Sequence, residues 1–481
     1  MQHVDVLIIG AGISGIGAGC HLTSKCPDRT FLILENRHAL GGTWDLFRYP
    51  GVRADSDMFT YGYSFKPWNK ACEIARGEAI NDYLNETAEQ FELKDKIRFQ
   101  HQVTRLDWSS EKKLWTVSIS NHATGDQLSV TSQFVMNCTG YYNFESAHQP
   151  ALPGQENFTG PIIHPQFWPQ DLSYANKRVV VIGSGATAVT IVPAMAETAA
   201  HVTMLQRTPG FVLSRPAQDP LVSQLRRWLP DKLVWRIKRT KSLVLGSYFY
   251  ARCRRQPEKM RGALVSMARE QLGDSADPAI HFNPPYKPWD QRLCLSPDGD
   301  LFEAIRNGKA TVVTEHIDGL ENDGIRLRSG NHLPADIVIS ATGLAMRFLG
   351  GASAYSDGHP IDVKDLVNFR GTLFGNMPNF ASIFGYANAS WTLKADLSCD
   401  YFCRLLNTMR RKGFRVATPD PPPADLPLQP MLNLNAGYVQ RSQHAFPSYR
   451  LKSPWRNFDY YFQDYLSIRW GRLKPIALKL Q

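Results

Sequence analysis

Val4-Asp5-Val6-Leu7-Ile8-Ile9 followed by Gly10-Ala11-Gly12-Ile13-Ser14-Gly15 opens the chain, and this stretch decides the fold class. An apolar run that ends in G-x-G-x-x-G and continues into a helix-compatible segment reads as strand, tight turn and helix. In that reading Gly10 permits the sharp turn and Gly12 lets the backbone approach a pyrophosphate. Ser14 lies in the phosphate-facing turn, and Gly15 lets helix and strand pack closely, with the helix N-terminus facing the phosphates. A second apolar run, Phe31 to Leu34, ends at Glu35, about 20 residues beyond the turn, where a carboxylate can hold a ribose hydroxyl.

The pattern recurs downstream. Arg178 to Ile182 leads into Gly183-Ser184-Gly185-Ala186-Thr187-Ala188, with Ala188 small enough for the close-packing position. The strand after it, His201 to Leu205, ends in Gln206-Arg207-Thr208 and not in an acid. A carboxylate repels a 2′-phosphate, whereas a guanidinium binds it through charge-assisted, bidentate bonds. The second dinucleotide is therefore expected to be NADPH, held by Arg207 with Thr208 as a further phosphate ligand. Apolar strands ending in Cys138-Thr139-Gly140 and Ser340-Ala341-Thr342-Gly343 close the two units.

Two further segments carry a family resemblance. Phe158-Thr159-Gly160-Pro161-Ile162-Ile163-His164-Pro165-Gln166-Phe167-Trp168-Pro169 has the form F-x-G-x-x-x-H-x-x-x-W-P, with Phe158, Gly160, His164, Trp168 and Pro169 as its fixed positions. Gly42-Thr43-Trp44-Asp45-Leu46-Phe47-Arg48-Tyr49-Pro50-Gly51-Val52-Arg53-Ala54-Asp55 has the form G-x-W-x-x-x-x-[FY]-P-G-x-x-x-D. Together they resemble the paired fingerprints of type I Baeyer–Villiger monooxygenases, and the terminal Trp-Pro separates these from N- and S-oxygenating relatives. The resemblance extends over essentially the whole chain through Pro288 to Cys294 and Asn388 to Leu397.

The resemblance implies FAD on the first turn and NADPH on the second, with reduced FAD activating O2 for transfer to a ketone carbonyl or to sulfur. It implies FAD contacts from Gly42, Thr43, Trp44, Asp45, Leu46, Arg53, Ala54 and Val103. It makes Arg292 the catalytic cation for developing negative charge, with Asp55 as the carboxylate that orients it. His164 and Trp168 are expected to act through the linker between nucleotide units. Many members carry a Lys-Arg pair before a proline at the active-site arginine, whereas this chain has Gln291-Arg292-Leu293, so that lysine's contact with NADPH is not carried over. Alternatives from other classes are a flavin-containing N- or S-monooxygenase, an NADPH oxidase or flavin reductase, and a non-catalytic NADPH sensor.

Composition fits this frame. The 481 residues are 43% hydrophobic and 20% charged, enough for two or three globular units. The expected fold is α/β, with two doubly wound Rossmann-like domains. The FAD domain is expected over 1–148 and 346–481, with an NADPH domain over 149–345 that carries a helical insertion near 215–285. No apolar run approaches the roughly 18 residues of a membrane span, and the first residues enter a strand directly, so a cytoplasmic enzyme is expected. Eight scattered cysteines without C-x-x-C indicate neither a redox disulfide nor a zinc site.

The net charge of +10 is concentrated, since Arg226 to Arg261 holds twelve Lys or Arg residues against Asp231 and Glu258. Interleaved Trp228, Leu229, Leu233, Val234, Trp235 and Ile237 predict helices with one apolar face, packed on the NADPH domain. The alternative is peripheral contact with an anionic membrane. No nucleic-acid motif accompanies the charge.

Overall fold

The computed structural model describes residues 2–471 and 477–481. Gln2–Ile9 is the axis of the first sheet, bonded in parallel to Phe31–Leu34 on one flank and to Gln127–Asn137 on the other. Val6, Leu7 and Ile8 are completely buried, as a continuous apolar run requires of a strand covered on both faces. The register Ile9 to Leu34 brings Gly10 and Glu35 side by side at the carboxyl ends of their strands. An antiparallel meander, His101–Ser109, Leu114–Asn121 and Gln127–Asn137, extends this sheet with alternating burial. Much later in the chain, Ser353–Ser356 pairs with His101–Ser109, and Phe380–Ser382 pairs with Gln127–Asn137. The helix Trp391–Lys412 then packs on Ile13–Lys25, so the last part of the chain completes the layers begun by the first.

The second sheet is wholly parallel, in the order Ala310–Thr314, His201–Gln206, Arg178–Ile182, Ile337–Ser340 and Ile162–Ile163. The helix Ala186–Ala196 leaves its second strand-to-helix turn and packs beside Asp300–Arg306. The fold is thus α/β, with two nucleotide-binding-type sheets and a helical insertion made of Pro220–Leu225, Asp231–Arg255, Pro257–Leu272 and Pro278–His281. Among the described residues no helix is long and apolar enough to cross a membrane.

The insertion docks on both units: the helix Pro257–Leu272 packs Ala268 and Leu272 into the second unit's core, whereas its longest helix departs from expectation. The helix Asp231–Arg255 turns Val234 and Trp235 into the core of the first sheet's unit, against Met58–Tyr61, and not onto the second unit. Lys238 and Arg239 lie on that buried face. Lys238 pairs with Glu73 at 2.6 Å and Asp219 at 2.5 Å, and Arg239 donates to the carbonyls of Phe59 at 2.6 Å and Gly62 at 3.0 Å. Apolar periodicity alone could not foresee this, because the partners of both cations lie some 20 to 180 residues away in sequence.

Candidate active site

The carboxyl ends of the first sheet open into a cleft whose floor is the Gly10 turn. Gly10 has φ +100°, and a Cβ there would stand 2.8 Å from the Cys138 carbonyl oxygen. Gly15 meets the Gly10 carbonyl more closely still, which is the packing role its position requires. Gly12 faces Gly42 across the cleft. Gly42 has φ +57°, and its Cβ would lie 3.0 Å from the Gly12 Cα. Neither turn has room for a side chain, so the two backbones form a narrow cradle.

Glu35 closes the cradle's far end. Its carboxylate accepts from Ala11 N at 2.6 Å and Arg37 N at 3.0 Å. Burial pushes its pKa up, against the pull of those two N–H groups. Ser14 Oγ accepts from Trp391 Nε1 at 2.8 Å, tying the helix N-terminus to the chain's late helix. Thr43, Trp44, Arg53, Ala54 and Val103 also line the cleft. A cradle that a Cβ would fill, ending on a buried carboxylate, fits FAD.

At the other end Arg292 and Asp55 meet in a two-pronged ion pair, Nε to Oδ2 at 2.7 Å and Nη2 to Oδ1 at 3.2 Å. Asp55 raises the guanidinium's pKa well above its usual value, so the charge is permanent. The pair is partly open, with side chains 30% and 26% exposed. Aromatic rings surround it: Tyr141 packs on Tyr142, Phe384 and Trp391, and Trp44 donates to the Tyr61 hydroxyl at 2.8 Å. Tyr141, Tyr142 and Tyr438 carry no motif in the sequence reading, and Trp391 lies in the resembling segment Asn388 to Leu397 without a role assigned to it. Only the position of Tyr141 and Tyr142 just after Cys138-Thr139-Gly140 could have flagged them.

Two expected contacts lie elsewhere. Asp45 is buried off the cleft and paired with Arg37 at 2.6 Å and Arg48 at 2.8 Å. Leu46 packs against the core beneath the second sheet. Arg53 does line the cleft, and there it pairs with Asp300, whose carboxylate also accepts from Leu301 N.

The second turn repeats the first in outline. Gly183 has φ +144° and abuts the Ala341 carbonyl, Ser184 Oγ donates to Thr208 O at 2.8 Å, and Gly185 precedes the helix Ala186–Ala196. Ala186 and Thr187 reach the main cleft, Ala188 is buried, and Arg207 is exposed. Gly51, at φ +74°, brings the flavin-side loop onto that helix, with Cβ contacts of 2.8 Å to Ala194 Cβ and 3.0 Å to Thr190 O.

The fingerprint lies at the edge of the second sheet. Phe158 is buried, and Gly160 lets the chain press against the Asp336 carbonyl. His164 Nε2 donates to Gly343 O at 3.0 Å, and its Nδ1 accepts from Gln166 N at 3.1 Å. Burial lowers its pKa, and this bonding fixes a neutral ring. Trp168 packs against the second core and Pro169 follows it half-buried.

Comparison with known proteins agrees with this arrangement. Residues 4–221 match the family described as flavin-binding monooxygenase-like. The FAD-containing monooxygenase EthA of Mycobacterium tuberculosis (strain ATCC 25618 / H37Rv) is 46% identical over 479 residues, covering 99% of this chain and 98% of the relative. Among solved structures, a steroid monooxygenase bound to NADP aligns with a TM-score of 0.71 at 22% identity, covering 87% of this chain and 88% of that one. A cyclohexanone monooxygenase from Rhodococcus sp. Phi1 bound to NADP+ aligns at 0.69 and 21%, covering 87% of each. These two likenesses establish the fold. With nearly half its residues shared along almost the whole length of EthA, the chain belongs to the FAD-containing monooxygenases.

Proposed function

We propose that the protein is an NADPH-consuming monooxygenase of the Baeyer–Villiger type. It inserts one oxygen atom from O2 beside a ketone carbonyl to give an ester or lactone, and oxidises sulfur in thioethers or thioamides. The observation that carries this reading is the Arg292–Asp55 pair, set in an aromatic chamber at the open end of the FAD cradle. The fold shared with NADP-bound monooxygenases supports it. FAD is assigned to 1–148 and 346–481, and NADPH to 149–345 with Arg207 toward its 2′-phosphate.

Bound FAD, once reduced, supplies the activated oxygen. Arg292 supplies a fixed positive charge for the oxyanion that develops on a carbonyl substrate, and such preorganised charge acts strongly where water is excluded. Asp55 holds the guanidinium in plane, while Tyr141, Tyr142 and Trp391 provide apolar walls that receive a ketone or sulfide. His164, a neutral ring with its Nε2–H given to Gly343 O and its Nδ1 accepting from Gln166 N, holds the linker to Gly343.

Incubation with NADPH and ¹⁸O₂ against linear, cyclic and aryl ketones and thioethers tests the reading. Mass spectrometry should find one labelled oxygen in an ester, lactone or sulfoxide. NADPH consumption that yields only hydrogen peroxide with every substrate would favour the oxidase or reductase reading.

For the basic helix the proposed role is mainly structural, because Lys238 and Arg239 are turned inward. Lipid contact would fall to its outer face, where Val244, Leu245 and Tyr248 are exposed, and to the exposed Trp228 that precedes the helix. Salt-sensitive co-sedimentation with phosphatidylserine vesicles, lost in Arg227→Gln/Lys232→Gln/Arg236→Gln, would replace the structural reading.

A further inference from the structure

The chain passes between the two sheets twice, and the two crossings run side by side. The first, 138–148, leaves the strand Gln127–Asn137, and the second, 341–352, returns from Ile337–Ser340 to Ser353–Ser356. Asn143 N donates to Ala345 O at 2.9 Å and Arg347 N to Tyr141 O at 3.0 Å, with Tyr142 and Met346 forming an antiparallel bridge between them. Thr342 Oγ1 donates to His148 O at 3.2 Å. Gly350, at φ +59°, lets the second crossing lie on the first, since a Cβ there would stand 3.2 Å from Thr139 Cγ2.

One carboxylate ties these crossings to the first sheet. Glu145 Oε2 accepts from Arg347 Nη1 at 2.7 Å on the other crossing, and its Oε1 accepts from Gln102 Nε2 at 3.0 Å on the strand His101–Ser109. The Gln102 amide is oriented in turn by His122, whose Nε2 donates to Gln102 Oε1 at 2.8 Å. Gly351, at φ +90°, leaves the space that the Arg347 guanidinium fills, and a Cβ there would collide with it. Gln102, Glu145 and Arg347 all line the cleft, beside Val103 and Leu349. They stand at the end that Glu35 closes, because His101, next to Gln102, donates its N–H to the Glu35 carbonyl at 2.8 Å. With side chains 38% and 52% exposed, the Arg347–Glu145 pair adds little to global stability. Its effect is local, since one carboxylate fixes where two other side chains stand across the cleft.

We propose that Glu145 is a positioning residue for FAD, drawing Gln102 and Arg347 into a clasp across the adenosine end of the cradle, so that FAD leaves only when the clasp opens. This rests on the placement of FAD in the first cleft under Proposed function. The clasp takes one residue from the first sheet and one from each crossing. The same crossings carry Tyr141, Tyr142 and the Gly343 carbonyl that His164 binds, so retention of FAD is tied to the segments from which the second unit hangs.

Release of FAD from the holoenzyme tests this, followed by the rise in free flavin fluorescence after dilution. The proteins compared are wild type, Glu145→Gln, Arg347→Gln, the double Gln variant, the charge-reversed Glu145→Arg/Arg347→Glu and Glu35→Gln. Each single clasp variant should release FAD about fivefold faster, the upper range for a partly exposed pair. The double Gln variant should be no faster than the faster single one, because the partners act as a unit, and charge reversal should restore most of the retention. The dissociation constant for NADP+, read by calorimetry on the same holoenzymes, should move less than about twofold, since a lost surface pair has no reach to the second unit. Unchanged release in Glu145→Gln overturns the inference, and so does an equal weakening of NADP+ binding, which would make the crossings a brace for the whole fold. If Glu35→Gln speeds release while the clasp variants do not, this inference alone falls; if Glu35→Gln has no effect, the placement of FAD in the first cleft falls, and the clasp with it.

Discussion

Arg292 is held by two oxygens of one carboxylate, and that geometry argues for a planar cation over a merely positive one. Removing it should leave FAD bound, because the cradle is built from the Gly10 and Gly42 turns and Glu35. Arg292→Ala should cut product formation by about 10² to 10³, the usual effect of losing one oxyanion-stabilising donor, and divert NADPH oxidation to hydrogen peroxide. Arg292→Lys should recover little, since an ammonium cannot fork onto Asp55. Wild-type yield of ester per NADPH oxidised in Arg292→Ala would make Arg292 a structural ion pair. At this scale the sequence was most legible where residues are local: the glycines and Asp55 lie inside short spaced patterns, Glu35 ends the strand after the first turn, and Arg292 came from the family resemblance. Tyr141 and Tyr438 were not legible, and Trp391 was seen only as part of a resembling segment, because only tertiary folding brings the three to one chamber.

The loop that carries Arg292 is itself clamped by two elements. Arg254, near the end of Asp231–Arg255, pairs with Asp290 at 2.8 Å, and Asn435 N donates to the Asp290 carbonyl at 2.7 Å. Between them Trp289 is fixed at φ +70°, packed edge-on against Tyr250 of the same helix. Arg254→Met should therefore lower turnover several-fold and worsen coupling while leaving FAD content and the NADPH constant near wild type. A uniform loss of FAD instead would mean that the helix supports the whole unit and not this loop. The insertion's helical character was readable from its apolar spacing, but its docking face was not. A buried Lys-Arg pair looks like solvated charge until Glu73, Asp219 and the Phe59 carbonyl are in place.

Across the whole molecule, that docking ties the insertion from the second half of the fold to the first. Although burial works against ionisation, Lys238 and Lys241 hold the Asp219 pKa down to about 2, below the 3.8 of a free carboxyl. A depressed acid stabilises the fold above its unfolded pKa and loses that contribution as pH falls through the folded one. The helix should thus remain docked above pH ~4 and loosen progressively toward pH ~2, seen as faster hydrogen exchange over 231–255, and Asp219→Asn should loosen it already at neutral pH. Unchanged exchange in Asp219→Asn would assign the docking to the Lys238–Glu73 pair, Arg239 and the apolar face. The two-sheet plan was legible because each glycine turn announces its own unit, whereas the spacing between the units depends on contacts that no motif encodes. Gly51 is one of these, since it touches Thr190 and Ala194 with nothing in between. Mechanically it is a bearing surface, and a single added methyl is a shim. Gly51→Ala would push the flavin side away from the nicotinamide side while leaving both binding pockets intact. Anaerobic stopped-flow reduction of bound FAD by NADPH should then slow at unchanged affinity for either nucleotide, so the gap between the cofactors would be set by a residue that touches neither.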